Sequence, residues 1–541
     1  MLTLPALPFC ALLAPSRAVA SDPAQVVLTE RTPPLFIAQF LVHGVHSLSA
    51  LEVETAVYPF LGPQRTTDDV RHACTALESA YRDKGFGAAS VSFEAAVQPG
   101  GVVVLDVNEG TVERLRVTGA KFFSPDVIRG EAPSLAEGKT INFNDVNKDV
   151  LALNQLPDRT VTPTLTPGSQ PGTYDIDLNV KDQAPLHASV EVNDYRSPNT
   201  VPLRVTASVS DTNLAQSGQG AGLSFEEAPQ RRKDDEVLTA YYLARFAGLE
   251  RWTFLFQGTK QDSNISTLGG ATVAGPGETA EAEATIQLPN GTDWKTDKPW
   301  QDFSHSLSFG IDAKHYQQSL TVGASSAPIV TPITYFPLAA TYQATLLNRT
   351  GKGSDTELSA GLLLNFRGVG SGPATFDLNR YGADGSFVTF RGTLSHLQPL
   401  PGDTQIFVRI QGQLANQPLV SSEEFSGGGE ETVRGYLESE TVGDRGEFAT
   451  IELRSPRILG TLGKRTRDWR LYAFADAGNL TLIDPLPEQT SSFDLASVGL
   501  GSTLQIDDHL SGGFDAAYPL ATQAYTTAHD IRVTFRADVK Y

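Results

Sequence analysis

The chain has 541 residues, 19% of them charged, with 48 glycines and 33 prolines. That length holds several domains, and the composition excludes a coiled coil and a disordered acidic tail. A formal charge of −20 leaves no basic stripe to neutralise phosphates, so nucleic acid is excluded as a partner.

Residues 1–20 form an apolar run ending in Ala18-Val19-Ala20. This is the shape of a secretory signal peptide with a small-residue cleavage site, although no Lys or Arg precedes the apolar core. The two cysteines are Cys10 and Cys74; removal of 1–20 would leave one thiol and no intrachain disulfide. No later segment offers ~18 consecutive apolar residues, so no transmembrane helix is predicted. Barrel strands alternate and escape that test.

Residues 36–44 read as a strand ending at Gly44, followed by a short helix near 51–60. Thr66-Thr67-Asp68-Asp69 supplies a helix start, with a hydroxyl to cap and acids in the first turn. Val70, Cys74, Leu77 and Tyr81 share one face, which makes Cys74 a core residue, and Gly85 ends the helix. Strands at 89–97 and 102–108 follow, joined by Pro99-Gly100-Gly101. The pattern then restarts: Leu115-Arg-Val-Thr-Gly119 resembles Phe40-Leu-Val-His-Gly44 at an offset of 75 residues. Helices near 124–130 and 144–155 and strands near 160–166 and 173–181 complete a second copy. These α+β repeats, 34–110 and 111–183, resemble POTRA domains, the periplasmic modules that precede outer-membrane barrels of the BamA-like superfamily. The resemblance implies capture of extended clients by strand addition at an exposed sheet edge; a generic α+β module without a client is the alternative.

From residue 185 to 541 helical periodicity gives way to segments of about ten residues with period-two alternation. The last is clearest: Ile531, Val533, Phe535, Ala537, Val539 and Tyr541 oppose Asp530, Arg532, Thr534, Arg536, Asp538 and Lys540. Segments 303–313 and 404–414 alternate likewise. Sixteen such segments are predicted, an even number as a closed antiparallel barrel with lipid outside and water inside requires. Short turns such as Ser217-Gly218 alternate with long ones, 262–278 and 416–446. The fold expected is therefore α+β repeats followed by an all-β, 16-stranded antiparallel transmembrane barrel.

The sixth long loop, 416–446, holds Phe425-Ser-Gly-Gly-Gly-Glu-Glu-Thr-Val-Arg-Gly-Tyr436. So much glycine makes a specifically folded loop, and Arg434 at its centre calls for a carboxylate partner. In the strand 469–477, Trp469, Leu471, Ala473 and Ala475 share the apolar face, so Arg470, Tyr472, Phe474 and Asp476 point into the lumen. In the BamA-like superfamily the sixth loop carries Val-Arg-Gly-Phe/Tyr and folds into the lumen; Val433, Arg434, Gly435 and Tyr436 match it. A partner motif, Phe-x-Asp-x-Gly, is matched two strands later by Phe474, Asp476 and Gly478. Phe535, Val539 and terminal Tyr541 resemble the C-terminal barrel-assembly signal of outer-membrane proteins.

Two repeats before sixteen strands resemble the transporters of two-partner secretion systems, the hemolysin secretion/activation and filamentous-hemagglutinin family (TpsB). The resemblance implies an outer-membrane location with periplasmic repeats. It also implies nucleotide-independent export of an unfolded, β-helical exoprotein through the barrel, insertion by the barrel-assembly machinery, and a monomer in the lipid bilayer. Family members commonly carry an N-terminal plug helix and linker. About 13 residues lie between Ala20 and the first strand, which leaves no room for them: either the start lies elsewhere or this pore lacks that plug. The alternatives are a BamA/TamA-like assembly factor and a passive porin or adhesin. Nine scattered histidines form no ligand cluster, and no nucleophile elbow, phosphate loop or zinc-protease helix occurs. No enzymatic role, cofactor or metal is expected.

Overall fold

The computed structural model describes residues 35–94, 98–246, 248–262, 266–268, 271–273, 276–289, 301–320, 329–348, 353–458, 466–487 and 489–541. The signal-like segment 1–20, with Cys10, lies outside the described residues, as do parts of the expected loop 262–278. The chain forms two compact units. The first comprises residues up to Arg114 with Glu137–Asp145 and Pro167–Asp175, and the second comprises Leu115–Ala136, Val146–Thr166 and Ile176–Tyr541.

In the first unit, strand Gln39–His43 pairs in parallel with Val102–Asn108, which pairs antiparallel with Ser90–Phe93. The strand expected at 36–44 is broken at Ala38: Leu35–Ile37 pairs instead with Gly62–Arg65, a short strand the sequence did not announce. Helix Thr67–Asp83 starts at Thr66, whose hydroxyl accepts the Asp69 N–H while the Asp69 carboxylate accepts the Thr66 N–H and hydroxyl. Its apolar face buries Val70, Ala73, Cys74, Leu77 and Tyr81. Burial pushes the Cys74 thiol up to about 11, so it is an inert core thiol.

The second repeat has strands Thr111–Thr118, Arg159–Pro167 and Thr173–Asp182 in one sheet, with helices Pro125–Gly130 and Phe143–Leu153. Two devices recur in both copies. Gly44 and Gly119 have φ of +77° and +85°, and a Cβ on either would strike a carbonyl oxygen of the neighbouring strand, at Val107 and Val180. Only glycine meets both demands. A carboxylate at the end of the last strand then caps the turn after each glycine. Glu109 accepts the His46 and Ser47 N–H groups at 2.6 and 2.7 Å; Asp182 accepts those of Lys121, Phe122 and Phe123 at 2.8–3.1 Å.

The barrel begins with strands Leu186–Asn193, Arg204–Asp211, Gly220–Glu227, Glu236–Ala244, Trp252–Gln261, Gly277–Gln287 and Gln301–Leu320. The eighth is two pieces, Ile329–Tyr335 and Leu338–Asn348, both paired with the seventh. The break falls at Phe336-Pro337, because Pro337 has no N–H to donate. The ninth to eleventh are Ser354–Leu364, Val388–Pro399 and Gln405–Ala415. The twelfth to sixteenth are Arg445–Arg454, Thr466–Thr481, Ser492–Ile506, Leu510–Pro519 and Arg532–Lys540. Neighbours in sequence pair antiparallel throughout, and the sixteenth strand returns to the first, from Arg536 opposite Asn193 to Lys540 opposite Ser189.

Side-chain parity is continuous round this closed sheet. Ile410, Leu414, Ile451, Leu471, Val533 and Val539 are exposed on the outer face, and the polar partners between them face the lumen. No described helix is long and apolar enough to cross a membrane; the outward apolar band on strands is what a barrel offers to lipid instead. In the second unit the second repeat is joined to the first turn and first strand of the barrel through Asp158. Its buried carboxylate contacts the Thr212 hydroxyl and bonds His187 Nε2 and Gln183 Nε2 at 2.8 Å each.

Candidate functional site

The loop between the eleventh and twelfth strands turns inward. Its base is a miniature hairpin, Phe425–Gly427 paired with Thr441–Gly443, after which Gly428 and Gly429 take φ of +101° and +98°. Phe425, Val433 and Tyr436 pack with the wall residues Phe448, Leu480 and Leu495. This apolar cluster gives the loop a reason to leave water. Gly446, grouped with the loop in the sequence, belongs to the twelfth strand.

Arg434 is 5% exposed. Its Nε and Nη2 donate to the two oxygens of Asp476 at 2.8 and 2.9 Å, and its backbone N–H donates to the same carboxylate at 3.1 Å. Nη1 reaches Glu452 at 2.8 Å and lies 3.6 Å from Asp515. The guanidinium lies 3.6 Å from the centroid of the Phe474 ring, a geometry in which the ring face attracts the cation. One loop side chain thus touches the twelfth, thirteenth and fifteenth strands at once. A planar, permanently charged fork makes these contacts together, which a lysine ammonium cannot do. Taking the charges out of water costs several kcal/mol per ion, so the arrangement fixes geometry more than it adds stability.

The neighbours of Arg434 serve the same placement. Gly435 has φ +92°, and a Cβ there would lie 3.0 Å from that of Ala517. The Tyr436 hydroxyl donates to the carbonyls of Ala521 at 2.8 Å and Ala496 at 3.0 Å. On the wall, Phe474 supplies the ring, Asp476 the fork's partner, and Gly478 the space into which the Phe448 ring packs. Phe474 and Tyr472 themselves lie over Gly499 and Gly501 of the next strand. Tyr472 donates its hydroxyl to Asp515 at 2.8 Å, which holds that carboxylate beside Arg434. Val433, fully buried, belongs to the apolar cluster.

The structure therefore brings Val433, Arg434, Gly435, Tyr436, Phe474, Asp476 and Gly478 together. Phe535, Val539 and Tyr541 lie apart from them, exposed on the outward face of the closing strand. Sequence reasoning did not single out Glu452, Asp515 or the loop acids Glu423, Glu440 and Asp444. Glu452 and Asp515 were reachable: the alternation that turns Asp476 inward also turns them inward, once the strand register is known. Glu423 accepts from Lys314 Nζ and the Tyr335 hydroxyl, both at 2.7 Å; nothing in its local sequence announces partners 109 and 88 residues away.

A family model described as haemolysin secretion/activation protein ShlB/FhaC/HecB matches residues 355–504, and one described as POTRA domain, ShlB-type, matches 35–110. The outer membrane transporter CdiB of Dickeya dadantii (strain 3937) is 24% identical over 456 residues, covering 80% of this chain and 74% of that protein. The structure of CdiB from Escherichia coli superposes with a TM-score of 0.67 at 18% identity, covering 96% of this chain and 93% of that one. BamA from Haemophilus ducreyi lacking POTRA domains 1–3 gives 0.52 at 15% identity, covering 94% and 100%. Residues 35–110 and 355–504 are thus similar to the ShlB-type POTRA domain and to the haemolysin secretion/activation proteins, and the fold, a POTRA-type domain ahead of a closed sixteen-stranded barrel, is the one seen in the outer membrane transporter CdiB.

Proposed function

We propose that the protein exports a secreted, β-helical partner exoprotein through its barrel. In this reading residues 34–110 and 111–183 are the periplasmic receptor modules, 185–541 is the translocating barrel, and the chain acts as a monomer. The client arrives unfolded and adds a strand to an exposed edge of a repeat sheet, where main-chain hydrogen bonds supply affinity for many sequences. Transport uses no nucleotide, and the sequence offers no phosphate loop to bind one. The barrel-assembly machinery inserts the chain.

The observation that carries the reading is the lumenal loop itself. It is a long segment folded inside a closed barrel and held by side-chain contacts rather than by a continuous sheet. A passive pore needs no such element; a pore that must admit a chain and shut again does. Val433, Arg434, Gly435 and Tyr436, with Phe474, Asp476 and Gly478, hold that loop in its transport-competent place. Phe535, Val539 and Tyr541 serve as the assembly signal.

The test is secretion of a large β-helical exoprotein, sought first in the reading frames beside this gene, in a strain carrying or lacking the transporter. Export that needs the transporter and fails with Arg434→Ala, while the barrel still inserts, supports the reading. Depletion that leaves that exoprotein unaffected but lowers the level of other outer-membrane barrels would replace it with an assembly role.

A further inference from the structure

Arg434 binds the barrel wall, whereas two buried acids of the same loop bind other loops. Glu440 is 9% exposed and Asp444 fully buried. One Glu440 oxygen accepts the backbone N–H groups of Tyr525 and Thr526 at 2.9 and 2.8 Å. The other accepts the Leu437 N–H at 2.9 Å and the Thr526 hydroxyl. Tyr525 and Thr526 belong to the outer loop 520–531, between the fifteenth and sixteenth strands.

Asp444 Oδ2 accepts the Ile483 N–H at 2.6 Å, in the outer loop 482–491, and lies 3.3 Å from Arg380 Nη2, in the outer loop 365–387. Its Oδ1 accepts the Leu419 N–H at 2.7 Å and so closes the base of the lumenal loop. Arg380 Nη2 also donates to the Ile483 carbonyl at 3.2 Å, which joins two outer loops to each other.

These contacts share one chemistry. Carboxylates that only accept face backbone N–H groups of irregular segments, and such donors need a partner wherever water is excluded. A carboxamide in either place would turn an NH₂ group toward an N–H and lose part of the set. We propose that Glu440 and Asp444 are positioning residues for transport: they latch three outer loops to the lumenal loop, so that departure of that loop from the lumen and opening of the outer mouth are one event. The latch rests on the reading of the barrel as a transport pore. Arg434 sets where the loop sits, and the two acids decide what moves with it.

The experiment is single-channel recording of the purified full-length protein in planar bilayers, without client. Parent, Glu440→Gln, Asp444→Asn and the double variant are compared, and heat-modifiable electrophoretic migration confirms a folded barrel. The double variant is expected to open at least about tenfold more often than the parent, with new protease cleavage in 482–491 and 520–531. A folded double variant as quiet as the parent overturns the proposal. So does frequent opening with both outer loops as protected as in the parent. Arg380→Gln and Thr526→Val weaken the same contacts from the outer-loop side, where the lumenal loop keeps its own acids. If the double variant fails to fold, parent-like opening in both of these overturns the proposal, and raised opening in both supports it. Because the recording contains no client, failure of the parent to export an exoprotein sinks the transport reading alone.

Discussion

Arg434 and Asp476, 42 residues apart in the chain, meet through three hydrogen bonds, two from the guanidinium and one from the backbone N–H of the arginine. The backbone bond matters as much as the ion pair: it fixes the main chain of the loop, and not only a side-chain tip, to the thirteenth strand.

Arg434→Ala leaves Asp476 buried beside Glu452 and Asp515 with no cation between them. Breaking a buried pair by removing one partner costs about 3–5 kcal/mol. The loop is expected to leave its seat, with residues 425–443 becoming accessible to protease in otherwise folded barrels. Arg434→Lys should recover only part of the loss, since an ammonium cannot engage both Asp476 oxygens and Glu452 in one plane. Equal protection of parent and Arg434→Lys loops would contradict this account of the fork.

Gly435→Ala tests backbone and space together. The residue would sit at φ +92° with its new methyl group against Ala517 and Pro519. Strain of this kind costs of order 1–3 kcal/mol. Loop protection should fall about tenfold or more by hydrogen exchange, while the repeats exchange as in the parent.

The two capping carboxylates predict paired effects in the repeats. Burial alone would raise the Glu109 carboxyl, but bonds from the Ser47 hydroxyl, the His46 and Ser47 N–H groups and the Tyr81 hydroxyl outweigh it and hold it below the usual carboxylate range. Asp182 is lowered in the same way, burial being outweighed by the N–H groups of Phe122, Lys121 and Phe123. Glu109→Gln and Asp182→Asn should each destabilise their own repeat by ~2–4 kcal/mol. Limited proteolysis of the full chain reads this, with cleavage confined to the repeat that carries the change.

Asp158 gives a pH dependence with a definite sign. Burial pushes its carboxyl up, yet bonds from His187, Thr212 and Gln183 bring it net below its ordinary value. A group more acidic in the folded chain stabilises it fully above the unfolded pKa, about 3.9 for aspartate, and loses that contribution as pH falls through the lower folded value. Protection of residues 146–166, measured relative to the intrinsic exchange rate at each pH, should therefore hold steady down to about pH 4 and fall below it. In Asp158→Asn protection should be low already at pH 7, with this acid step gone.

The repeats and barrel were legible because their signals are local and periodic. Val70 to Tyr81 spell a helix face, and Ile531 to Tyr541 a strand face. Asp476 faced inward on alternation alone. What stayed hidden was tertiary. Glu452 and Asp515 have the right parity, but only the register of four consecutive strands brings them to one arginine. Glu440 and Asp444 sit in a loop with no period to read, and their partners are mostly backbone N–H groups of irregular segments, in this loop and in others. The break in the eighth strand has a local sign in Pro337, but the flanking register runs on in phase through it, so alternation alone does not reveal it.

The seam between the last and first barrel strands governs how the molecule comes into being. Phe535 donates its N–H to Asp194 across 341 residues of chain, and Tyr541 exchanges backbone bonds with Ala188 at 2.8 and 3.0 Å. Until the sixteenth strand docks there, the remainder of the barrel is an open sheet with two bare edges. Such edges recruit other strands, and contacts this distant in sequence form slowly. The folding protein is thus most prone to aggregate while this seam is open, and a catalyst that shields one edge until the sixteenth strand docks would act at a hazardous step of its folding.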